Sequence, residues 1–155
     1  MTKSPGPLRG EEASVADDLA DYCPDLAQWP SSWRFEDRDV APGQQIVECF
    51  KPFLRHLLGS GLSRKTLRQH RDHLWMLGGR LIEKLHETPS LRKQPMDHVV
   101  REALDDEGGP LIRGGASEDQ QRAFDATCRK FYRFIKEREE NEPRTSKTPG
   151  KQGRK

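Results

Sequence analysis

The sequence predicts an all-α protein built as a single four-helix bundle. Apolar residues recur at three- and four-residue steps in four stretches between residues 43 and 138, which places them on one face of each helix. No stretch alternates apolar and polar residues as a half-buried strand would. Of the 155 residues, 32% are hydrophobic and 34% are charged, too polar for the whole chain to pack as core. We therefore expect one helical domain with disordered termini.

The first two predicted helices are the most strongly patterned. The first covers residues 43–58, where Ile46, Phe50 and Phe53 share the apolar face, and it ends at Gly59. Ser63 is expected to cap the second and longest helix, which ends near residue 88. Gly78 lies near the apolar stripe of this helix, so its small size is expected to allow close approach of a neighbouring helix.

The last two predicted helices are bounded by clear signals. A short helix starts around Pro95 and ends at Gly108. Ser117 and Gln120 have the spacing of a capping box, which predicts the start of the final helix. That helix is expected to end at Arg138, where the apolar residues stop.

Three segments follow from this pattern. Residues 1–42 are predicted to be an acidic, largely irregular N-terminal segment, with a short acidic helix over residues 14–26. The stretch Trp29–Phe35 holds two of the three tryptophans without apparent helical spacing, and we expect it to be pinned onto the core. Residues 43–138 form the predicted helical domain. Residues 139–155 are predicted to be a disordered basic tail.

Charge is distributed unevenly along the chain. The net charge is +2, but residues 1–39 hold nine acidic residues against four basic ones, so the rest of the chain is basic. A basic domain favours an acidic partner, with nucleic acid as the first choice. The chain has no apolar run of transmembrane length, and its N-terminus lacks a secretory signal, so we expect a cytoplasmic protein without membrane contact.

Basic residues form a strip on each of two predicted helices. At 100° per residue, four cations of the last helix share a solvent-facing strip about 60° wide, opposite its apolar side. The first turns of the long helix carry a second strip beside the hydroxyls of its N-terminus, where phosphates bind readily. The side chains predicted to contact DNA are Ser63, Arg64, Lys65, Thr66, Arg68, Arg71, Arg122, Arg129, Arg133 and Lys136.

No constellation of residues predicts an enzyme, a cofactor or a small-molecule substrate. His70 and His73 have metal-like spacing, but His70 points toward the predicted core and no third ligand lies nearby in sequence. The three cysteines, Cys23, Cys49 and Cys128, are too few and too widely spaced for a disulfide framework. We expect reduced thiols, with the latter two behaving as small buried hydrophobes.

Two stretches resemble the core-binding domain of tyrosine recombinases, the phage integrases. Gly61–Leu74 resembles the first long helix of that domain, with a Gly-Leu-Ser turn followed by Thr66, although His70 stands where the family usually has Tyr. Arg129–Lys136 resembles the closing helix. The resemblance covers residues 43–138. It implies a four-helix, SAM-like orthogonal bundle that clasps one side of a DNA duplex.

The resemblance places DNA contacts on Ser63, Lys65, Thr66 and Arg129. It does not extend to a catalytic domain, and neither Tyr22 nor Tyr132 has the surroundings of a recombinase nucleophile. We therefore expect a non-catalytic protein that binds double-stranded DNA mainly through phosphates. The alternative is a protein-interaction module that uses the Trp29–Phe35 segment, with a recombinase or a second copy of the chain as partner.

Overall fold

The computed structural model describes residues 19–141, and in this range the protein is all-α. A helical turn covers residues 19–22, and one isolated bridge pairs Asp105 with Gly108, but no β-strand forms in the described residues. Short 3-10 turns lie at Leu26–Gln28, Asp37–Asp39 and Pro89–Lys93. The α-helices are α1 (Trp29–Trp33), α2 (Val40–Leu58), α3 (Arg64–Glu87), α4 (Met96–Glu102) and α5 (Glu118–Asn141).

Helix α2 is the centre of the core because its apolar face contacts all the other long elements. Phe50 and Phe53 are fully buried on that face. The ring of Phe131 on α5 stacks on Phe53 with 4.6 Å between centroids and meets Phe50 edge-on at 5.6 Å. Aromatic pairs in these geometries add to the stabilisation from burial of apolar surface. The apolar spacing that predicted these two helices therefore corresponds to their observed contact.

The tryptophan-containing segment is a short helix, and the prediction of an irregular segment is wrong here. Trp29 and Trp33 lie four residues apart, one turn along α1, with Pro30 in the first turn where its missing N–H costs nothing. Both indoles are buried, whereas Phe35 is 64% exposed. The expected pinning onto the core is confirmed for the two tryptophans.

The described part of residues 1–42 belongs to the packed core. Leu19, Cys23 and Leu26 are buried together with the two tryptophans of α1. Helical turns thus replace the irregular chain expected over residues 19–42. The acidic helix predicted over residues 14–26 is observed only as the turn at 19–22, and residues 1–18 lie outside the described residues.

The close contact predicted at Gly78 of α3 is made by the side chain of Trp33. The Trp33 indole lies directly on Gly78, and its Nε1 donates a hydrogen bond to the Trp75 carbonyl at 2.9 Å. The neighbour is thus a side chain of α1 rather than the backbone of another long helix. Trp33 and Gly78 together join the N-terminal segment to the longest helix.

The helix ends confirm several of the predicted boundary signals, but α4 ends at Glu102, before the end predicted at Gly108. Helix α2 begins three residues earlier than predicted, at Val40. At the start of α5, the Ser117 N–H donates to the Gln120 side chain and the Gln120 N–H donates to Ser117 Oγ, as in a capping box. Helix α5 continues to Asn141, so residues 139–141 are helical and not part of a disordered tail. The rest of the predicted tail, residues 142–155, lies outside the described residues.

Candidate nucleic-acid interface

The N-terminus of α3 is held by two hydroxyl groups. Ser63 is the N-cap residue, and its Oγ accepts a hydrogen bond from the Thr66 N–H at 3.1 Å. The same Oγ lies 3.0 Å from Thr66 Oγ1 and donates to it. These two predicted DNA contacts therefore already serve as the cap that fixes the start of the helix. The capping role predicted for Ser63 is confirmed.

Three of the predicted cations on α3 are exposed and free of acidic partners. Arg64, Lys65 and Arg68 occupy its first two turns, and their side chains face solvent. Within residues 19–141, no carboxylate oxygen lies within 4.0 Å of their charged nitrogens, although most other arginines of this range have such a partner or another specific contact. We call these three residues the α3 basic face. An unpaired cluster of this kind is available to an external anion such as a phosphate.

Arg71 has a different role from the one predicted. It is half-buried, and its Nη1 donates to the Tyr22 carbonyl at 3.3 Å while Nη2 pairs with Asp72 at 3.2 Å. The Tyr22 hydroxyl in turn donates to the Leu67 carbonyl at 2.6 Å. Arg71 thus fastens the N-terminal segment to α3. Its charge is neutralised by Asp72, so the structure does not support it as a phosphate ligand.

The predicted strip on α5 is mostly engaged within the protein. Arg122 pairs with Asp119 at 2.6 Å, and Arg129 donates to the Glu107 carbonyl at 3.5 Å. Lys136 lies over the ring of Tyr132, 5.8 Å from its centroid. Only Arg133 of this strip is exposed without an acidic partner within residues 19–141. Within residues 19–141, only the charge of Arg122 in this strip is paired with an acidic residue, but the side chains of Arg129 and Lys136 are also held in contacts within the protein.

The two predicted strips point away from each other. Thr127 marks the side of α5 that contacts α3, because it meets both His70 and His73. By helical periodicity, the α5 strip lies about 120–180° from Thr127, and the α3 basic face lies on the side of α3 turned from these histidines. The structure therefore does not bring all the predicted contacts onto one continuous surface. Of the predicted DNA contacts, the three cations of the α3 basic face still share one exposed surface.

Both histidines of the metal-like pair bind the same buried hydroxyl. The Nδ1 atoms of His70 and His73 each lie 2.7 Å from Thr127 Oγ1. Because a hydroxyl has one hydrogen, it donates to one ring and accepts an N–H from the other. Burial lowers the pKa of both imidazoles, that of His70 to about 4, and nearby Lys130 contributes to the lower value for His70. Two neutral imidazoles therefore link α3 to α5.

This histidine pair predicts a loss of stability in mild acid. The pKa of each imidazole is lower in the folded than in the unfolded protein, so the unfolded chain binds more protons. For His70, the stabilisation present above pH 6.5 is expected to be lost progressively as the pH falls to about 4. Urea unfolding between pH 7 and 4 measures this slope. In the variant H70N/H73N the slope should be clearly smaller, and an unchanged slope would show that other groups cause it.

A buried ion cluster, which the sequence did not reveal, joins the turn at Asp39 to the end of α3 and the 3-10 turn that follows it. Asp39 is fully buried and accepts N–H groups from Phe35 and Glu36, at 2.8 and 3.1 Å. Arg92 Nη2 lies 2.7 Å from Asp39 Oδ1, and His86 Nε2 lies 2.9 Å from Oδ2. These hydrogen bonds hold the pKa of the Asp39 carboxyl well below its usual range, despite its burial.

The same cluster is the group in residues 19–141 with donor atoms close enough for a metal ion. Ligand atoms of Glu36, Asp39 and His86 lie within 4.8 Å of one another. The guanidinium of Arg92, however, already supplies a cation beside Asp39, and the backbone N–H groups use further lone pairs of the carboxylate. The cluster therefore serves as a structural ion pair, and a metal would first have to displace Arg92.

The cysteines are unreactive thiols in the interior. Cys23 and Cys128 are buried, Cys49 is half-buried, and all three are free. Burial raises the pKa of Cys49 to about 11 and that of Cys23 to about 12. Thiolate, the nucleophilic form, is therefore scarce at neutral pH. The expectation of a buried, hydrophobic cysteine is confirmed for Cys128, whereas Cys49 is only half-buried.

Comparisons with protein families, with curated proteins and with solved structures found no match for this chain. The resemblance to the recombinase core-binding domain therefore rests on the two sequence stretches alone and stays a prediction. None of the helices in residues 19–141 is long and apolar enough to cross a lipid bilayer. The α3 basic face is thus the strongest candidate site in the described part of the chain.

Proposed function

We propose that this protein binds double-stranded DNA through the α3 basic face, without cleaving it. The proposal rests on three exposed cations on the first two turns of α3 that have no acidic partner within residues 19–141. Free N–H groups at the start of a helix and nearby cations together favour phosphate oxygens. The contacts are made to the backbone of the duplex, so the protein should show little preference for base sequence.

The proposal keeps the likeness to a SAM-like core-binding domain but assigns DNA binding mainly to one helix instead of two. In the resemblance, both the long helix and the closing helix contact DNA. Here Arg122 and Arg129 of the closing helix are engaged by Asp119 and the Glu107 carbonyl, so α3 provides the main contact. The protein would act as a non-catalytic clasp on one side of the duplex, either alone or beside a recombinase.

Two matched triple variants test this proposal. Fluorescence anisotropy with a random 30-base-pair duplex at 50 mM salt compares R64Q/K65Q/R68Q with R122Q/R129Q/R133Q. Both remove three positive charges from surface positions. We expect the first to weaken binding at least about 100-fold, because about three phosphate contacts are lost. The second should weaken it by less than about fivefold, since most of its cations are already engaged.

Each alternative outcome has a clear meaning. Equal losses in the two variants would show that net charge, and not the α3 basic face, determines binding. Retention of binding by R64Q/K65Q/R68Q would contradict the proposal. Circular dichroism of both variants provides the control for folding, which we expect to be unchanged because the replaced side chains lie at the surface.

A second candidate is binding of a protein partner, supported by exposed apolar side chains. Phe35 is 64% exposed, Trp75 43% and Leu111 73%. Phe35 and Trp75 line a cavity of about 410 Å³ beside Arg34 and Arg113. Burial of Trp29 and Trp33 removes these two residues from that surface, so the interaction first predicted for the Trp29–Phe35 segment would depend on Phe35. Absence of duplex binding at 50 mM salt would favour this candidate.

A further inference from the structure

Tyr22, close to the point where the chain enters the described structure, lies beside the α3 basic face. Its hydroxyl donates to the Leu67 carbonyl and its own carbonyl accepts from Arg71, whereas Leu19 and Ala20 line a cavity with residues of α2. A cavity of about 400 Å³ at this contact is lined by Asp21, Tyr22, Leu67 and Arg71 together with Arg64 and Arg68. The segment that precedes residue 19 is therefore joined to the described chain three residues before this contact.

The tethered segment carries the complementary charge. Residues 11–18 contain Glu11, Glu12, Asp17 and Asp18 and no basic residue. The α3 basic face has three cations without an acidic partner in residues 19–141. An eight-residue segment with four negative charges thus directly precedes the turn at residues 19–22, and the nearby α3 surface has three cations without an acidic partner in residues 19–141.

The segment is long enough to cover this surface. Eight residues span about 27 Å when extended and about 12 Å as a helix. The first two turns of α3 span about 11 Å along the helix axis. Because the tether is short, the effective concentration of the acidic segment at the surface reaches the millimolar range. Weak attraction between single charges then suffices for substantial occupancy at low salt.

We propose that residues 11–18 dock on the α3 basic face and occupy it when no nucleic acid is bound. The docked segment belongs to the same chain and carries four negative charges, so the attraction is electrostatic. The docking itself needs no nucleic acid, and only its consequence, competition with a duplex, rests on the proposed function. The segment would act as an internal mimic of the phosphate backbone.

Amide chemical shifts of the full chain, recorded without nucleic acid, test the docking. At 20 mM salt, the variant E11Q/E12Q/D17N/D18N should shift the amide signals of residues 64–68 relative to the unmodified chain. At 500 mM salt the difference should largely vanish, since the Debye length falls from about 20 Å to about 4 Å. The variant E102Q/D106N/E118Q/E140Q removes four exposed acids elsewhere and should leave these signals unchanged.

Unmoved signals of residues 64–68 in the first variant at low salt would overturn the proposal. Equal shifts in both four-acid variants would also overturn it, because they would reflect net charge alone. For a chain that binds the duplex, the first variant should bind about three- to tenfold more tightly at 50 mM salt than the second. Failure of duplex binding would contradict the proposed function, and the amide shifts alone would then decide whether the segment docks.

Discussion

Replacement of Gly78 by alanine is expected to destabilise the protein by about 2 kcal/mol. A Cβ atom at this position would overlap Cζ2 and Cη2 of the Trp33 indole and lie 2.6 Å from Cε2. Trp33 cannot simply rotate away, because it is buried and its Nε1 donates to the Trp75 carbonyl. Overpacking of this kind costs about 3 kcal/mol, offset by about 1 kcal/mol from the higher helix propensity of alanine. Thermal unfolding should show a melting temperature lower by roughly 6 to 12 °C.

Gly79 provides a matched control in the same helix. A Cβ atom there would lie 3.4 Å from the nearest atom of Trp33, an ordinary contact distance. Gly79→Ala should therefore be neutral or stabilise the protein by up to about 1 kcal/mol. If both variants were equally stable, the close contact between Trp33 and Gly78 would not exist in solution.

Replacement of Asp39 by asparagine is expected to cost about 3 kcal/mol. Asp39 is fully buried and is the common acceptor for Arg92, His86 and two backbone N–H groups. An asparagine keeps the shape but turns an N–H₂ group toward at least one of these donors and leaves the Arg92 charge uncompensated. Loss of one partner from a buried ion pair costs about 3–5 kcal/mol, and the partial exposure of Arg92 places this case at the lower end. Urea unfolding at pH 7 measures the difference.

Asp37, two residues earlier, is the control for this variant. It is exposed in the same short 3-10 turn and makes no side-chain contact that an asparagine would lose. Asp37→Asn should change the free energy of unfolding by less than about 0.5 kcal/mol. A similar loss in both variants would mean that the turn itself, and not the ion cluster, accounts for the effect.

The elements that could be predicted from sequence are those determined by nearby residues. Helix α3, the Ser63 cap and the capping box at Ser117 depend on neighbours within one turn, and the structure confirms them. The position of the small Gly78 near an apolar stripe also predicted a close contact, and the structure shows Trp33 there. In these cases, local hydrogen bonds and helical spacing contain the necessary information.

The contacts that sequence could not reveal join residues far apart in the chain. Asp39 meets His86 and Arg92 some 50 positions later, and nothing in the local pattern distinguishes it from the exposed Asp37. The burial of Trp29 and Trp33 was expected, but five residues do not establish a period, so their short helix could not be predicted. The N-terminal segment lies outside the predicted domain because its acidic composition hides the few apolar residues that anchor it.

The candidate site was only partly predictable for the same reason. Helical periodicity predicted a face for each basic strip on its own helix, but it contains no information on how two helices are rotated against each other. The shared contact of His70 and His73 with Thr127 fixes that rotation and separates the strips. The pairing of Arg122 with Asp119 has i, i+3 spacing and was within reach of the sequence, whereas the bond from Arg71 to the Tyr22 carbonyl joins distant residues that a helical wheel does not relate.

The salt dependence of duplex binding by the full chain is the most direct test of binding through the α3 basic face. About three phosphate contacts on the α3 basic face predict a slope of log K against log salt near −3, or an affinity about 40-fold lower at 200 mM than at 50 mM salt. If both helices contributed, about six contacts would give a slope near −5 and a loss of more than about 1000-fold. A slope near −3 would support a single binding face on α3, whereas no binding at 50 mM salt, or binding insensitive to salt, would contradict it.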